Sequence, residues 1–421
     1  MRITTDKNEL NHSDIQTLIQ AHQSRYLHVL KLKRYYSGKH AILQKEGRKH
    51  NAPNNRLVNN YCKFISDFAV GFFIGQPATY KSADEENLEM LLDIFKYNDE
   101  SAHNLELAEE SSVTGTAFEI LYIDEDAMIR FANVPAEEMI LVCDSTLEEN
   151  IIAAIRHYRV YDLNQVNYTE YVDVYDAEKI RHYSYNGVLK LVEEVPHYFE
   201  DVPVVEYPNN KERRGDFEDV LTLIDAYNMA QSLTLDDMSD FTDAFLILRG
   251  MGGTKPEDIK ELRREKTLLL DEGGGAEWLT KNINDAYVEN LKTRLQTDIH
   301  KFSQVPDLSD DNFAGNASGV AIKYKLIGLE QIRGKKERQF KKALQRRIEL
   351  ISNILRLQNK ANIDFRDITM TFTANIPANV VEQVQIVNQL DGLISRDTLL
   401  GLLPFVEEPS QEIEKLKKDI D

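Results

Sequence analysis

The chain has 421 residues, of which 42% are hydrophobic and 29% charged, enough to bury a large core in roughly two to four domains or subdomains. Its formal net charge of −20 argues against a protein that wraps nucleic acid by bulk attraction, but suits one that lets nucleic acid pass without sticking. Cys62 and Cys143 form no CxxC pair, which argues for reducing surroundings and against a zinc site. No apolar run is long enough to cross a membrane, and the opening MRITTDKNELNHSD lacks the apolar core of a signal peptide.

Ile15, Leu18, Ile19, Tyr26 and Leu30 recur at helical spacing and predict a helix from Asp14 to about Tyr36, capped by Ser13. A polar loop rich in Gly, His, Asn and Pro follows. Val58, Tyr61, Ile65, Phe68 and Phe72 mark a second helix, about Leu57–Phe73, which Gly75 and Pro77 end. Ala78–Tyr80 starts a strand, and Glu85–Asn98 and His103–Ser112 read as two more helices. From Gly115 to Tyr207 the period changes. Ala117–Ile123, Ile151–Tyr161, Tyr168–Tyr175, Ile180–Tyr185 and Val188–Val192 are rich in Tyr, Val and Ile, with a hairpin signal at Asn186-Gly187. They predict an antiparallel β region with its own small core.

Asp216 to about Asp243 reads as a helix with eight acidic residues and no Lys or Arg. Asp236, Asp240 and Asp243 stack on one face, where like charges repel, so this face requires a cationic neighbour or open water. Ala244–Arg249 is a short strand, Glu257–Lys266 a short helix and Thr267–Leu270 a strand. Gly273-Gly274-Gly275 forms a flexible tip before Trp278, making roughly 245–285 a small insert. Asp285 to about Gln304 is a helix whose Val288, Leu291, Leu295 and Ile299 repeat at nearly seven residues, the pattern of a helix packed on a neighbour. Pro306 ends it, and 306–319 (PDLSDDNFAGNASG) reads as an exposed loop.

Val320–Gln358 predicts one long amphipathic helix, with Tyr324, Ile327, Phe340, Leu344, Ile348, Ile351 and Leu355 along its stripe. Eleven Lys and Arg against three Glu give it a net +8. Gly328 and Gly334 are expected places for a kink. Beyond it, Ile368–Phe372 reads as a strand, Pro377 begins a helix to about Leu390, and Ser395 caps another before Pro404 and Pro409. The fold class is α+β, predominantly helical.

No catalytic constellation emerges. Gly273–Gly275 lacks the Gly-Lys-Ser/Thr of a phosphate loop. Asp307, Asp310 and Asp311 lack the Gly and Glu of a calcium loop, Asn312 standing where the Gly belongs. There is no HExxH and no GxSxG. The residues call for no cofactor and no metal.

Seven segments carry a resemblance, in this order: Tyr36–Ile42 (YSGKHAI), Asn54–Tyr61 (NNRLVNNY), Gly71–Tyr80 (GFFIGQPATY), Val202–Asn210 (VPVVEYPNN), Gly215–Asn228 (GDFEDVLTLIDAYN), Asn316–Leu329 (NASGVAIKYKLIGL) and Leu393–Pro404 (LISRDTLLGLLP). Together they resemble the portal proteins of tailed bacteriophages, in particular the siphophage-type family of phages infecting Gram-positive bacteria. The chain is short for that family after Pro404.

The resemblance implies a homo-oligomeric ring, typically of twelve subunits, at one capsid vertex. Its architecture would be a wing (1–215), two stem helices (216–243 and 285–304) and a clip (244–284). A tunnel loop (305–319), a long kinked wing helix with a strand (320–375) and a crown (376–421) would complete it. Double-stranded DNA would pass without sequence specificity, along a loop wall carrying Asp307, Asp310, Asp311, Asn312, Phe313 and Asn316. The clip, with Arg249, Lys255 and Trp278, would meet the terminase large subunit and later the head–tail adaptor. Major capsid and scaffolding proteins are further implied partners, with assembly in the host cytoplasm and no membrane. Separately from the resemblance, the basic helix could face the acidic stem segment of a neighbouring subunit. Two other classes remain open on the residues alone: a metal-dependent nuclease that holds substrate on the basic helix, and an α/β adaptor that binds only protein.

Overall fold

A computed structural model describes residues 1–7, 9–47, 53–240, 245–249, 275–279, 285–307, 324–374, 387–390 and 392–400, together with residues 406 and 413. The chain divides after Phe372 into two units.

The first unit opens with strand β1 (Arg2–Thr4) and helix α1 (His12–Tyr36). The cap of α1 is Asn11 rather than Ser13: Asn11 Oδ1 accepts from the Asp14 amide at 3.0 Å, and the Asp14 carboxylate accepts from the Asn11 amide at 3.1 Å. This reciprocal box satisfies two otherwise orphaned donors. Helix α2 (Tyr61–Ile74) starts four residues later than its apolar spacing suggests, capped by Asn60 and closed at Gly75. Strand β2 (Thr79–Lys81), α3 (Glu85–Tyr97) and α4 (Glu100–Thr114) follow.

The β region is two sheets. Strands β3 (Thr116–Ile123), β4 (Ile129–Val134) and β10 (Val204–Pro208) form one, in the order β10-β3-β4. Strands β5 (Met139–Cys143), β6 (Ile151–Tyr161), β7 (Tyr168–Tyr175), β8 (Lys179–Tyr185) and β9 (Leu189–Pro196) continue from β1 in the other. It is not purely antiparallel, because β1 pairs with β5 in parallel, Ile3 opposite Val142. The β8–β9 hairpin turns at Gly187, whose φ of 72° only glycine adopts without strain. The face of the six-stranded sheet bearing Ile140, Ile155, Val172 and Tyr183 packs on Ile15 and Ile19 of α1.

Helix α5 (Leu221–Asp240) follows a 3-10 turn at Glu218–Val220. Strands β11 (Phe245–Arg249) and β12 (Gly275–Leu279) pair antiparallel, and α6 (Asp285–Ser303) comes next. The tip expected at Gly273–Gly275 thus ends in a strand. The helix at Glu257–Lys266 and strand at Thr267–Leu270 lie outside the described residues.

Helix α7 (Ile327–Leu357) runs unbroken through Gly328 and Gly334, the two expected kink positions. The helical path is interrupted only at Leu326, the residue before the helix begins. At about 1.5 Å per residue it is some 46 Å long. Phe340, Leu344, Ile348, Ile351 and Leu355 enter the main core with residues of α2, α3, β3 and β10. Phe340 sits among the rings of Phe73, Tyr207 and Phe372, with centroids 4.8 to 5.9 Å away. Strand β13 (Thr369–Thr371) pairs with β2 and closes this core. In the second unit, Ser395 caps α8 (Arg396–Leu400).

Candidate loop root, stem pair and buried ion network

Helices α5 and α6 pack against one another. The segment 55–59 is held along α5 by side chains four residues apart. The amide of Asn55 donates to Asp236 Oδ1 at 2.6 Å, that of Leu57 to Ser232 Oγ at 2.9 Å, and that of Asn59 to Asn228 Oδ1 at 2.7 Å. Two extended residues advance about 6.8 Å and four helical residues about 6.0 Å, so the two periods nearly match over three rungs. Asn228, Ser232 and Asp236 are fully buried. Lys45 Nζ meets Asp236 Oδ2 at 2.5 Å. Burial alone would raise the Asp236 carboxyl, but Lys45 and Asn55 outweigh it and hold it below its usual range. Lys45 is therefore the cationic neighbour of Asp236, the one residue of that acidic face whose side chain is among the described residues. Asn228 Nδ2 also donates to His40 Nδ1 at 3.0 Å, while His40 Nε2–H donates to the Tyr35 carbonyl at 3.0 Å.

Where α6 ends, the chain is fixed again. Gln304 adopts a left-handed φ of 59°. His300 Nδ1 donates to the Val305 carbonyl at 3.0 Å, and Gln296 Nε2 donates to Asp307 Oδ2 at 2.9 Å. The rings of Tyr61 and Phe64 meet the His300 ring edge-on, at 5.7 and 5.8 Å. On the returning side, a Cβ at Gly328 would come within 3.2 Å of Gln304 Cβ and O. Glycine at 328 lets the start of α7 lie directly on the end of α6.

The third feature is buried charge. Arg347 is wholly buried, its Nε 2.9 Å from Glu119 Oε1 and its Nη1 3.3 Å from Glu100 Oε1 and 2.9 Å from Asn104 Oδ1. His103 Nε2 and the Tyr207 hydroxyl each lie 3.1 Å from Glu119. Burial would raise the Glu119 carboxyl, yet Arg347 and His103 hold it down to about 2. Lys336, also buried, reaches Asp216 Oδ2 at 2.5 Å, and Asp216 accepts from Ser112 Oγ and Asn209 Nδ2.

A family described as phage portal protein, SPP1 Gp6-like, matches residues 15–421. The chain belongs to this family of phage portal proteins. It is 26% identical to the portal protein of Bacillus phage SPP1, over 97% of this chain and 86% of that one. It is likewise 26% identical to the portal protein of Clostridium phage phiCD119, over 96% and 94%. A solved chain from the neck of an empty GTA particle, computed with C6 symmetry, shares the fold. Its TM-score is 0.51 at 12% identity, covering 82% of this chain and 90% of that one. The function is that of a phage portal, in a structural rather than enzymatic family whose members are virion components at the capsid. Among the described residues, no helix is long and apolar enough to cross a membrane.

In this portal protein the residues read from sequence fall at different depths. Ile299 is fully buried, Val288 and Leu295 are half-buried and Leu291 is exposed. Arg249 and Trp278 stand on the β11–β12 ladder, opposite Gly275 and Leu246 respectively. Asp307 lies at the loop root, tied to Gln296. Lys255, Asp310, Asp311, Asn312, Phe313 and Asn316 lie outside the described residues. Six cations of α7 pair with carboxylates of their own chain. Asp236 and Asp225 of the acidic helix are likewise met within the chain, by Lys45 and the Tyr35 hydroxyl.

Sequence reasoning missed the zipper and the buried ions, though both left signals. NNRLVNN is rich in Asn, and its Asn55 and Asn59 bond α5 through both backbone and side chain. Arg347 falls in the apolar row of its helix, and Glu119 interrupts the apolar strand TAFEILYI. A charge on a core stripe signals a buried partner.

Proposed function

We propose that copies of this chain close into a ring, typically of twelve, around a channel for double-stranded DNA at one capsid vertex. The ring serves genome packaging, head–tail joining and DNA ejection. The observation that carries this reading is the family match from residue 15 to 421, which covers every segment assigned below except the first 14 residues of the wing. In this reading 1–215 is the wing, 216–243 and 285–304 are the stem, 244–284 is the clip and 305–319 the tunnel loop. Residues 320–375 span the wing and 376–421 form the crown. The clip docks the terminase large subunit and later the head–tail adaptor, and major capsid and scaffolding proteins surround the ring, which assembles in the host cytoplasm. The charge of −20 fits a conduit, because every phosphate that a wall neutralises adds salt-dependent binding and would hinder sliding.

The test is native mass spectrometry of the purified chain with electron microscopy of the same sample. A closed ring with a central channel is expected. A protein that stays monomeric across micromolar concentrations, or that cleaves DNA with added divalent metal, would overturn the reading.

A further inference from the structure

The cations of α7 fall into two sets. Arg333, Lys336, Lys341, Arg346, Arg347 and Arg356 each lie within ion-pair distance of a carboxylate of the same chain. Lys335, Arg338 and Lys342 are exposed and have no such partner among the described residues. At about 100° per residue these three share one row, roughly half a turn from the row of Lys336, Phe340, Leu344, Arg347 and Ile351 that enters the core.

Side chains bridge helices α4 and α7. Arg347 reaches Glu100 and Asn104 near the start of α4, and Asp216 links Ser112 near its end to Lys336. The row of α4 that faces α7 is therefore Glu100, Asn104, Ala108 and Ser111. Glu106 and Glu109 lie about half a turn away from it. Both are exposed and neither forms an ion pair with a described cation. They border a cleft with Glu110, Lys33, Tyr36 and Asn133. The Oδ1 of Asn133 is shielded from solvent and has no hydrogen-bond partner among the described residues. Lys33 of this cleft is already met by Glu110 and Glu137, so Glu106 and Glu109 leave the cleft net acidic; burial and Asp67 push the Glu109 carboxyl up, against the pull of Lys63.

Helices α4 and α7, bridged by these side chains, thus carry a basic row on the side of one turned from the bridge and an acidic row on the side of the other turned from it. Two complementary patches facing away from each other are what a head-to-tail contact between identical subunits requires. We propose that Lys335, Arg338 and Lys342 of one copy dock on the acidic cleft at Glu106 and Glu109 of the next. The occupant of the basic row is therefore a second copy of this chain. The inference rests on the ring reading above and names one of its contacts.

The test uses the full chain, with assembly followed by native mass spectrometry and sedimentation against concentration. Reversing the basic row (K335E/R338E/K342E) should raise the concentration for half-assembly about ten-fold, because several exposed pairs become repulsive together. Reversing the cleft (E106K/E109K) should do the same. Since each subunit carries both patches, combining the two sets in one chain should bring assembly back to within about three-fold of wild type. All five positions are exposed, so unchanged melting of each variant checks that the fold survives.

Either reversal assembling like wild type, or no rescue in the combined variant, would overturn the contact while leaving the ring intact. A basic-row variant that assembles normally but loses filter retention of duplex DNA at low salt would assign the row to DNA and overturn the proposal. Wild type that forms no ring at any concentration would sink the ring reading itself, and the contact with it.

Discussion

Arg347→Met is the substitution whose cost the structure defines best. The side chain is wholly buried, Met fills comparable apolar volume, and what disappears is the only arginine beside Glu119 and Glu100 among the described residues. Breaking a buried pair from one side costs about 3–5 kcal/mol. The linkage of Glu119 gives the same scale: a carboxyl held near 2 in the fold, against an ordinary value near 4.5, contributes about 3 kcal/mol at neutral pH. In wild type this contribution is fully present above pH 4.5 and is lost as pH falls toward 2. In the variant the sign reverses. With Arg347 gone, burial raises the Glu119 carboxyl, which must then take up a proton on folding. Between pH 8 and 5 the unfolded chain keeps this carboxyl largely ionised, so the folded variant binds up to one proton more and its deficit shrinks by at most about 1.4 kcal/mol per unit as pH is lowered. Urea unfolding followed by circular dichroism at pH 5, 6, 7 and 8 measures both the deficit and its slope. A double variant, R347M/E119Q, should recover part of the loss, since no charge is then left alone. A variant within about 1 kcal/mol of wild type and flat across that range would refute the buried-network reasoning.

Three shorter tests address the other features. Asp236→Ala removes the acceptor of Lys45 and of the Asn55 amide, so about 3 kcal/mol should be lost, and amide exchange should accelerate at Asn55, Leu57 and Asn59 before the core of α5 is affected. Gly115→Ala places a Cβ 2.2 Å from the Arg213 carbonyl oxygen at a φ of 86°. It should cost about 3 kcal/mol or more, read as a drop in soluble yield and melting temperature. In the loop, Asp310→Lys with Asp311→Lys should make duplex DNA retention tight and steeply salt-dependent without hindering ring formation. Asp307→Asn should instead loosen the loop root, because the Asp307 carboxylate accepts from Gln296. DNA retention and salt slope equal to wild type in the double-Lys chain would place 310–311 away from DNA.

Much of this was legible in the sequence. Strands β6 and β7 have the bounds their Tyr, Val and Ile runs suggest, and α1, α3, α5 and α6 lie within a few residues of theirs, because strong periodicity and caps decide such elements locally. The start of α2 was not legible. Residues 57–60 fit the helical stripe, but the amides of Leu57 and Asn59 are taken by Ser232 and Asn228 across about 170 residues of sequence. Strands β1, β4 and β5 were missed for a similar reason: β1 is only three residues long, and its parallel pairing with β5 is a long-range event that no local pattern encodes. The network around Arg347 draws on residues far apart in the chain, visible beforehand only as a charge in an apolar row. Asp307 shows the same limit: composition grouped it with Asp310 and Asp311, whereas its geometry ties it to Gln296 and places it near His300.

The charge on α7 shows how composition misstates a surface. Nine Lys and Arg against three Glu suggest a polycation, yet six of the nine are met within the chain, leaving three exposed cations in one row. Copies carrying −20 each repel when they approach. Salt weakens that repulsion, with a screening length of about 8 Å at 0.15 M, so long-range repulsion fades before ion pairs in close contact do. If the exposed row meets the acidic cleft of the next copy, assembly should rise with salt at first, as the general repulsion is screened, and then fall as the contact pairs weaken. The optimum lies between, on the order of 0.1–0.2 M where the screening length matches the spacing of a contact interface. A monotonic rise with salt would mean that the joint is made by apolar surface such as Tyr287, Leu291 and Met238, all exposed on α5 and α6. A monotonic fall would mean that ion pairs dominate at every separation. Because apolar burial is insensitive to charge reversal and contact pairs are not, the salt profiles of the wild type and of the K335E/R338E/K342E chain together separate the two forces.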